Sequence, residues 1–255
     1  MSVVILSCQS SVKSMDIEGP LLLQASSLQN SNSEYFYTTK SDVVVMDLGK
    51  KTRSYVDFAE FRIQRHTLHL GENGEMQFRV NTSHKKGNMS LNDMGYPEPN
   101  ETLLEVIDSY GKPVVVKDYP IGSVFYLPRV SLPENPVNEG DKWSYRGRWI
   151  SRDTGWPFEI EINSKLTSWA DCQGTLCAVI DFTARVILPE DFPLRSTIKS
   201  NIKGRLHYSP HSFDVLWGES ESDEMFEIAE LKKQIIVKTK SCSYKIGYNK
   251  NCPKL

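Results

Sequence analysis

Phe158-Glu159-Ile160-Glu161-Ile162 alternates apolar and acidic side chains without a break. Period two places the three apolar residues on one side of an extended chain and the two glutamates on the other, the pattern of a half-buried strand. The same signal recurs in both directions. Downstream lie Val179-Ile180-Asp-Phe182, Ile198 to His207 and Phe213 to Trp217; just upstream is Trp143 to Trp149. Further back stand Tyr35-Phe36-Tyr37, Val43-Val44-Val45, Phe61-Arg-Ile63, Met76-Gln-Phe78-Arg-Val80 and Leu103-Leu104-Glu-Val106. Gly, Asn and Asp separate these segments, residues that accept the backbone angles of tight turns. Gly71-Glu-Asn-Gly74, Ser109-Tyr-Gly-Lys112, Asp171-Cys-Gln-Gly174 and Ser209-Pro-His-Ser212 read as connections of this kind.

Two stretches carry helical signals. Pro189 to Ser200 is interrupted by two prolines, and Glu221 to Lys233 runs from acidic to basic as a helix dipole favours. Met225, Phe226, Ile228 and Leu231 also fit a strand, which the β-rich context favours. The expected fold is therefore all-β, mainly antiparallel, with little helix. A polar tether covers residues 9–33, with an apolar patch at Leu21-Leu22-Leu23. An N-terminal β lobe covers 34–130 and a C-terminal lobe 131–255. The two lobes share an order of strands, turns and insertions, as a distant internal repeat would. Residues 81–100 read as an exposed polar insertion; their three Asn-x-Ser/Thr sequences, at Asn81, Asn88 and Asn100, are glycosylation acceptors if the protein is a eukaryotic secreted one and chance matches in a polar loop otherwise.

The formal charge is −2, from 30 basic and 32 acidic residues, so no global field recruits nucleic acid. No apolar run approaches the ~20 residues of a membrane-spanning helix. No nucleotide fingerprint, phosphate loop, nucleophile elbow or His-Glu-x-x-His sequence occurs, so no cofactor, metal or catalytic residue is assigned.

Five cysteines divide into Cys8 alone, Cys172 with Cys177, and Cys242 with Cys252. Four cysteines allow three connectivities, of which the two local pairings are the simplest. Disulfides would imply an oxidising compartment. Reduced thiols and metal binding are the alternatives, zinc being disfavoured by the spacing.

Ile5-Leu6-Ser7-Cys8 resembles the end of a bacterial lipoprotein signal peptide, in which the cysteine receives the lipid. Only Val3 to Leu6 supply the apolar stretch, against the roughly 7–15 residues of a secretory signal, so residues 1–8 read as a truncated signal. The resemblance implies a membrane anchor at Cys8 and explains the odd cysteine. A second resemblance rests on Pro133, Pro136, Val137, Gly140, Asp141 and Trp143. This Pro-x-x-Pro-Val-x-x-Gly-Asp-x-Trp segment is similar to one that opens a β lobe in uncharacterised families of bacterial secreted and lipoprotein domains. Those families imply a fold and a compartment, and no site.

Several side chains invite a functional reading. Glu159 and Glu161 could act as paired carboxylates, against the solvated face of a strand. Arg146 and Arg148 could hold an anion beside Tyr145 and Trp149. All five tryptophans, at 143, 149, 156, 169 and 217, fall in the second half, as core filling or as the lining of a groove for glycan, lipid or peptide. Trp149, Trp156, Arg146 and Arg148 form the candidate groove, Trp156 because it sits in a Thr-Gly-Trp-Pro turn. His66 and His69 fall on opposite faces of a strand, while His207 and His211 flank a turn without the carboxylates or thiolates of a metal site. Seven lysines between Lys232 and Lys254, with no acid, form a basic strip of the kind edge strands carry.

The function expected is that of a non-enzymatic lipoprotein of the bacterial cell envelope, on the outer membrane facing the periplasm or the cell surface. It would meet other envelope proteins as an interaction or assembly component. An open-barrel carrier of a lipid or other hydrophobic ligand is the alternative, and an envelope glycan hydrolase a further one.

Overall fold

The computed structural model describes residues 13–14, 19–24 and 29–253, so Cys8 and the lipoprotein-like segment lie outside the described residues. Among those described there are twelve strands, two short 3-10 turns and no α-helix, and no helix long and apolar enough to cross a membrane. The strands are β1 (Lys13–Ser14), β2 (Asn32–Asp47), β3 (Lys50–Leu70), β4 (Met76–Gly87), β5 (Thr102–Ile107) and β6 (Pro113–Val116). They continue as β7 (Lys142–Ile150), β8 (Pro157–Asp171), β9 (Leu176–Ile187), β10 (Ser196–Ser209), β11 (Asp214–Ile228) and β12 (Lys233–Lys245).

All pairings are antiparallel and build one sheet in the order β1-β8-β9-β10-β11-β12-β2-β3-β4-β5-β6. β7 pairs with the rest of β8's outer edge, end to end with β1, so the sheet is eleven strands across. The sheet is not closed into a barrel. Sequence neighbours pair because each hairpin turn has the residues it needs. Leu48-Gly49 and Gln173-Gly174 hold positive φ at both central positions, as a type I′ two-residue hairpin turn requires. The strand reading of 221–233 holds: β11 runs to Ile228 and a turn follows.

The boundary near residue 131 separates β2–β6 from β7–β12, and the sheet runs through it. β12 pairs with β2 along thirteen positions, from Lys233↔Asp47 to Lys245↔Tyr35. β12 is therefore central, and its lysines do not guard an edge as the sequence suggested. Lys238 pairs instead with Asp223, and Lys245 with Asp214.

One core joins both halves. Phe61, Phe78 and Leu103 from β3–β5 belong to the same buried cluster as Leu166, Ile180 and Tyr208 from β8–β10. A flat sheet of this width would hold its outer strands roughly 50 Å apart at the usual strand spacing. The sheet must therefore curl, bringing its two flanks toward each other. What fills the concavity is connection: residues 117–141, between β6 and β7, contribute Phe125, Val130, Leu132 and Val137 to the core. Residues 88–101 are not a fully exposed insertion either, since β4 extends to Gly87 and Leu91 is wholly buried. Leu23, in the expected tether, is likewise in the core, and Leu21 bridges to Val137.

The Pro133–Trp143 stretch does enter a strand. Asn138 N donates to Asp141 Oδ2 at 2.7 Å, Gly140 turns at φ 92° and donates to Leu166 O, and Trp143 Nε1 reaches Ser131 O at 2.8 Å.

Candidate ligand-binding site

Alternation decides what faces the inside of the curl. Even-numbered residues of β9, of β10 and of β8 up to Leu166 point inward, as do Ser220, Ser222, Glu224 and Phe226 of β11, and on β12 and β2 the odd positions do. After Leu166 a bulge shifts the register of β8 and turns Trp169 inward. One row across the sheet reads Ile162, Ala184, Ile202, Ser222, Thr239, Ser41. The next reads Ser164, Phe182, Gly204, Ser220, Ser241, Thr39. The inner face is thus apolar over β8–β10 and lined with hydroxyls over β11–β2. Two pairs of those hydroxyls bond across the strands, Thr39 to Ser241 and Ser41 to Thr239, each at 2.8 Å.

Small residues in these rows leave room. Gly204 admits the Phe182 ring over its backbone; a Cβ there would sit 2.4 Å from the ring and 2.4 Å from Glu219 O. Beyond Phe182, toward the 88–101 and 117–141 connections, a cavity of about 270 Å³ opens between Tyr35, Tyr37, Ile63, Phe182, Leu206 and Tyr208. Tyr96 and Arg129 reach it from the connections.

Two arginines that line the cavity, Arg65 and Arg129, are already partnered. Arg65 bonds to Asp214 at 2.5 Å and to Phe213 O at 2.9 Å, and Lys245 and the Tyr35 hydroxyl also bond to Asp214. Burial alone would push the Asp214 carboxyl up; Arg65 beside it and the hydrogen bonds from Lys245 and Tyr35 win, and hold it below the usual carboxylate range. Arg129 pairs with Glu105 at 3.2 Å and lies over the Tyr96 ring. Sequence reasoning missed these groups. The available signal was Arg65 itself, a charge at a core-facing position between Ile63 and Thr67.

In the other direction along the strands, past Ser222 and Glu224, the inner face becomes aromatic and half-exposed. Trp149, Trp156, Phe158, Phe192 and Phe226 meet there, with centroids 5.4–6.5 Å apart between contacting rings. The sequence-named groove is therefore divided. Trp149 and Trp156 share this cluster, while Arg146 and Arg148 point to the opposite face of β7, paired with Glu159 and Asp191 at 2.5 Å each. Glu161 pairs with Arg185 at 2.8 Å, and that hydrogen bond lowers its carboxyl pKa. Both strand glutamates are thus held by arginines on the outer face. Trp143 is half-buried against the core, and Trp169 and Trp217 are buried.

Outside the inner face, a cleft of about 870 Å³ lies between residues 92–102, 118–125 and 149–155. Burial and the neighbouring Asp153 push the Asp93 carboxyl up, and burial together with Glu101 pushes the Tyr119 hydroxyl to about 12. Trp149 also lines this cleft.

Both disulfides form, Cys172–Cys177 with Cα atoms 5.9 Å apart and Cys242–Cys252 at 5.6 Å. The first spans a two-residue turn, with Cys172 N on Thr175 O at 2.8 Å, so its cysteines are diagonal neighbours and the bond closes across that diagonal. His207 lies beside it on the outer face, its ring 3.0 Å from the Tyr248 hydroxyl. The ligand atoms of Cys172, Cys177 and His207 lie within 4.8 Å of one another, but the sulfurs are bonded to each other and offer no thiolate. Burial, then Lys250 and Arg205, lower the His207 pKa to about 4.

No family model matches the chain, and no curated protein matches it. Among solved structures it is similar to an outer membrane channel of Pseudomonas putida F1 at 10% identity, over 87% of this chain and 97% of that one, with a TM-score of 0.24. A likeness at that level carries no inference for this chain.

Proposed function

We propose that this chain is a non-enzymatic binding protein of the bacterial cell envelope, whose open, curled sheet shelters an apolar or amphiphilic ligand. The observation that carries the reading is the cavity of about 270 Å³ between Tyr35, Tyr37, Phe182 and Tyr208, on the same inner face as the half-exposed aromatic cluster at Trp149, Trp156 and Phe226. The connections fill the curl only in part, and this cavity is the space they leave. The cavity volume stands at the lower edge of the roughly 300–1,000 Å³ of small-molecule sites, which suits one chain rather than a multi-chain lipid. Two disulfides support an oxidising compartment. A lipid at Cys8 belongs to the same proposal, as the device that keeps the protein at a membrane, and the other envelope proteins it meets would be donors or acceptors of the ligand.

The test is native isolation from the envelope followed by solvent extraction and mass spectrometry, with dodecanol titrated into the stripped protein. Co-purified amphiphile and saturable dodecanol binding, both lost when Tyr37→Trp fills the cavity, are expected. A stripped protein that binds no alkyl chain would end the carrier reading and return the chain to assembly alone.

A further inference from the structure

Glu224 is an inner-face residue of β11 that pairs with no cation among the described residues. It stands in register between Ser200 of β10 and Val237 of β12, next to Phe226 in the inward alternation. Its hydrogen-bond partner is the Ser200 hydroxyl, at 3.1 Å. Among the described residues no lysine or arginine pairs with it; Lys199, Lys203, Lys238 and Lys240 alternate to the other face. Arg53, one row further on, is three strands away by register and lies over Tyr55 at 4.5 Å. Burial pushes the Glu224 carboxyl pKa up, with only Ser200 opposing.

A half-buried carboxylate in an apolar setting is costly unless something pairs with it. The other buried acids of the interior, Asp214 and Glu105, have arginines. Glu224 is four residues along β11 from Ser220, which lines the cavity, so about 13 Å of inner face separates the carboxylate from the cavity. Between them lie Ile202, Ser222 and Thr239, with no charge.

We infer that the ligand is a single-chain amphiphile with a cationic amine head, the ammonium seated on Glu224 and the alkyl chain running past Ile202 to the cavity beside Phe182. This rests on the binding reading proposed above and adds the head-group class. A phosphate or carboxylate head would face Glu224 without a cation to receive it. The hydroxyls of Ser200 and Ser222 can accept the remaining ammonium protons.

The experiment compares dodecylamine, dodecanol and dodecanoate, each below its micellar concentration, by titration calorimetry on the full chain and on Glu224→Gln. The wild type should bind the amine on the order of tenfold more tightly than the alcohol, and dodecanoate most weakly. E224Q should erase the amine preference and leave dodecanol binding unchanged, which also certifies that the variant is folded. Equal binding of amine and alcohol by the wild type, tightest binding of dodecanoate, or an amine preference that survives E224Q would overturn the head-group assignment and leave the carrier reading standing. Failure of all three probes to bind the wild type would instead overturn the carrier reading, and this inference with it.

Discussion

At the scale of single residues, the interior depends on charges that occupy core positions. Asp214 is fully buried and accepts from Arg65, Lys245 and Tyr35 together. Removing its charge leaves Arg65, itself almost wholly buried, with the Phe213 carbonyl but no anionic partner, which costs about 3–5 kcal/mol for a broken buried pair. Asp214→Asn should therefore lower stability by that order in urea unfolding, and a loss under 1 kcal/mol would mean that Arg65 finds another acceptor. His207 gives a pH dependence. Its folded pKa of about 4 lies below the ordinary 6.5, so the folded state favours the neutral ring. The stability from this residue is complete above about 6.5 and is lost as pH falls toward 4, up to about 3 kcal/mol in all. His207→Phe should flatten the unfolding free energy over that window; an unchanged slope would assign the acid sensitivity elsewhere.

At the scale of elements, the hairpins and the glycine at the centre of β10 do distinct work. The Cys172–Cys177 bond closes a short loop and Cys242–Cys252 a longer one, worth about 2 and about 3 kcal/mol by loop-closure entropy. Reduction should thus lower the urea midpoint, and the Cys242→Ser, Cys252→Ser pair more than the Cys172→Ser, Cys177→Ser pair. The opposite ranking would mean that the turn's native packing, not chain entropy, dominates. Gly204→Val places carbon where the Phe182 ring lies, an overpacking that costs about 1–3 kcal/mol and narrows the cavity. Its loss of dodecanol affinity should exceed its loss of stability, since Phe182 lines the site. The strands and turns around these positions were legible in the sequence, because alternation and turn residues are local signals. That Gln173-Gly174 alone would form the turn, leaving the cysteines diagonal, was not, because both loop lengths fit the same residues.

At the scale of the whole molecule, the pairing of β12 with β2 joins the halves of the chain through one sheet and one core. Unfolding should be a single transition, coincident between tryptophan fluorescence, which reports residues 143–217, and far-ultraviolet circular dichroism, which reports both halves. Two separated transitions would restore independent lobes. The sequence by itself determined the all-β class, most of the strands and the outward glutamates of β8, since each is written in spacing of a few residues, and it made the local cysteine pairs the simplest of several options. Only the tertiary structure decided the rest. The C-terminal strand became central and its lysines found acids on neighbouring strands. The proposed tryptophan–arginine groove split across two faces of one strand. The insertion expected as exposed and the connection between the two halves became the filling of the curl. Asp214, Arg65 and Glu224 gained their meaning from partners, or the lack of one, more than a hundred residues away or on the next strand. Such pairings depend on which strands meet when the sheet curls around its core, and no local period records that.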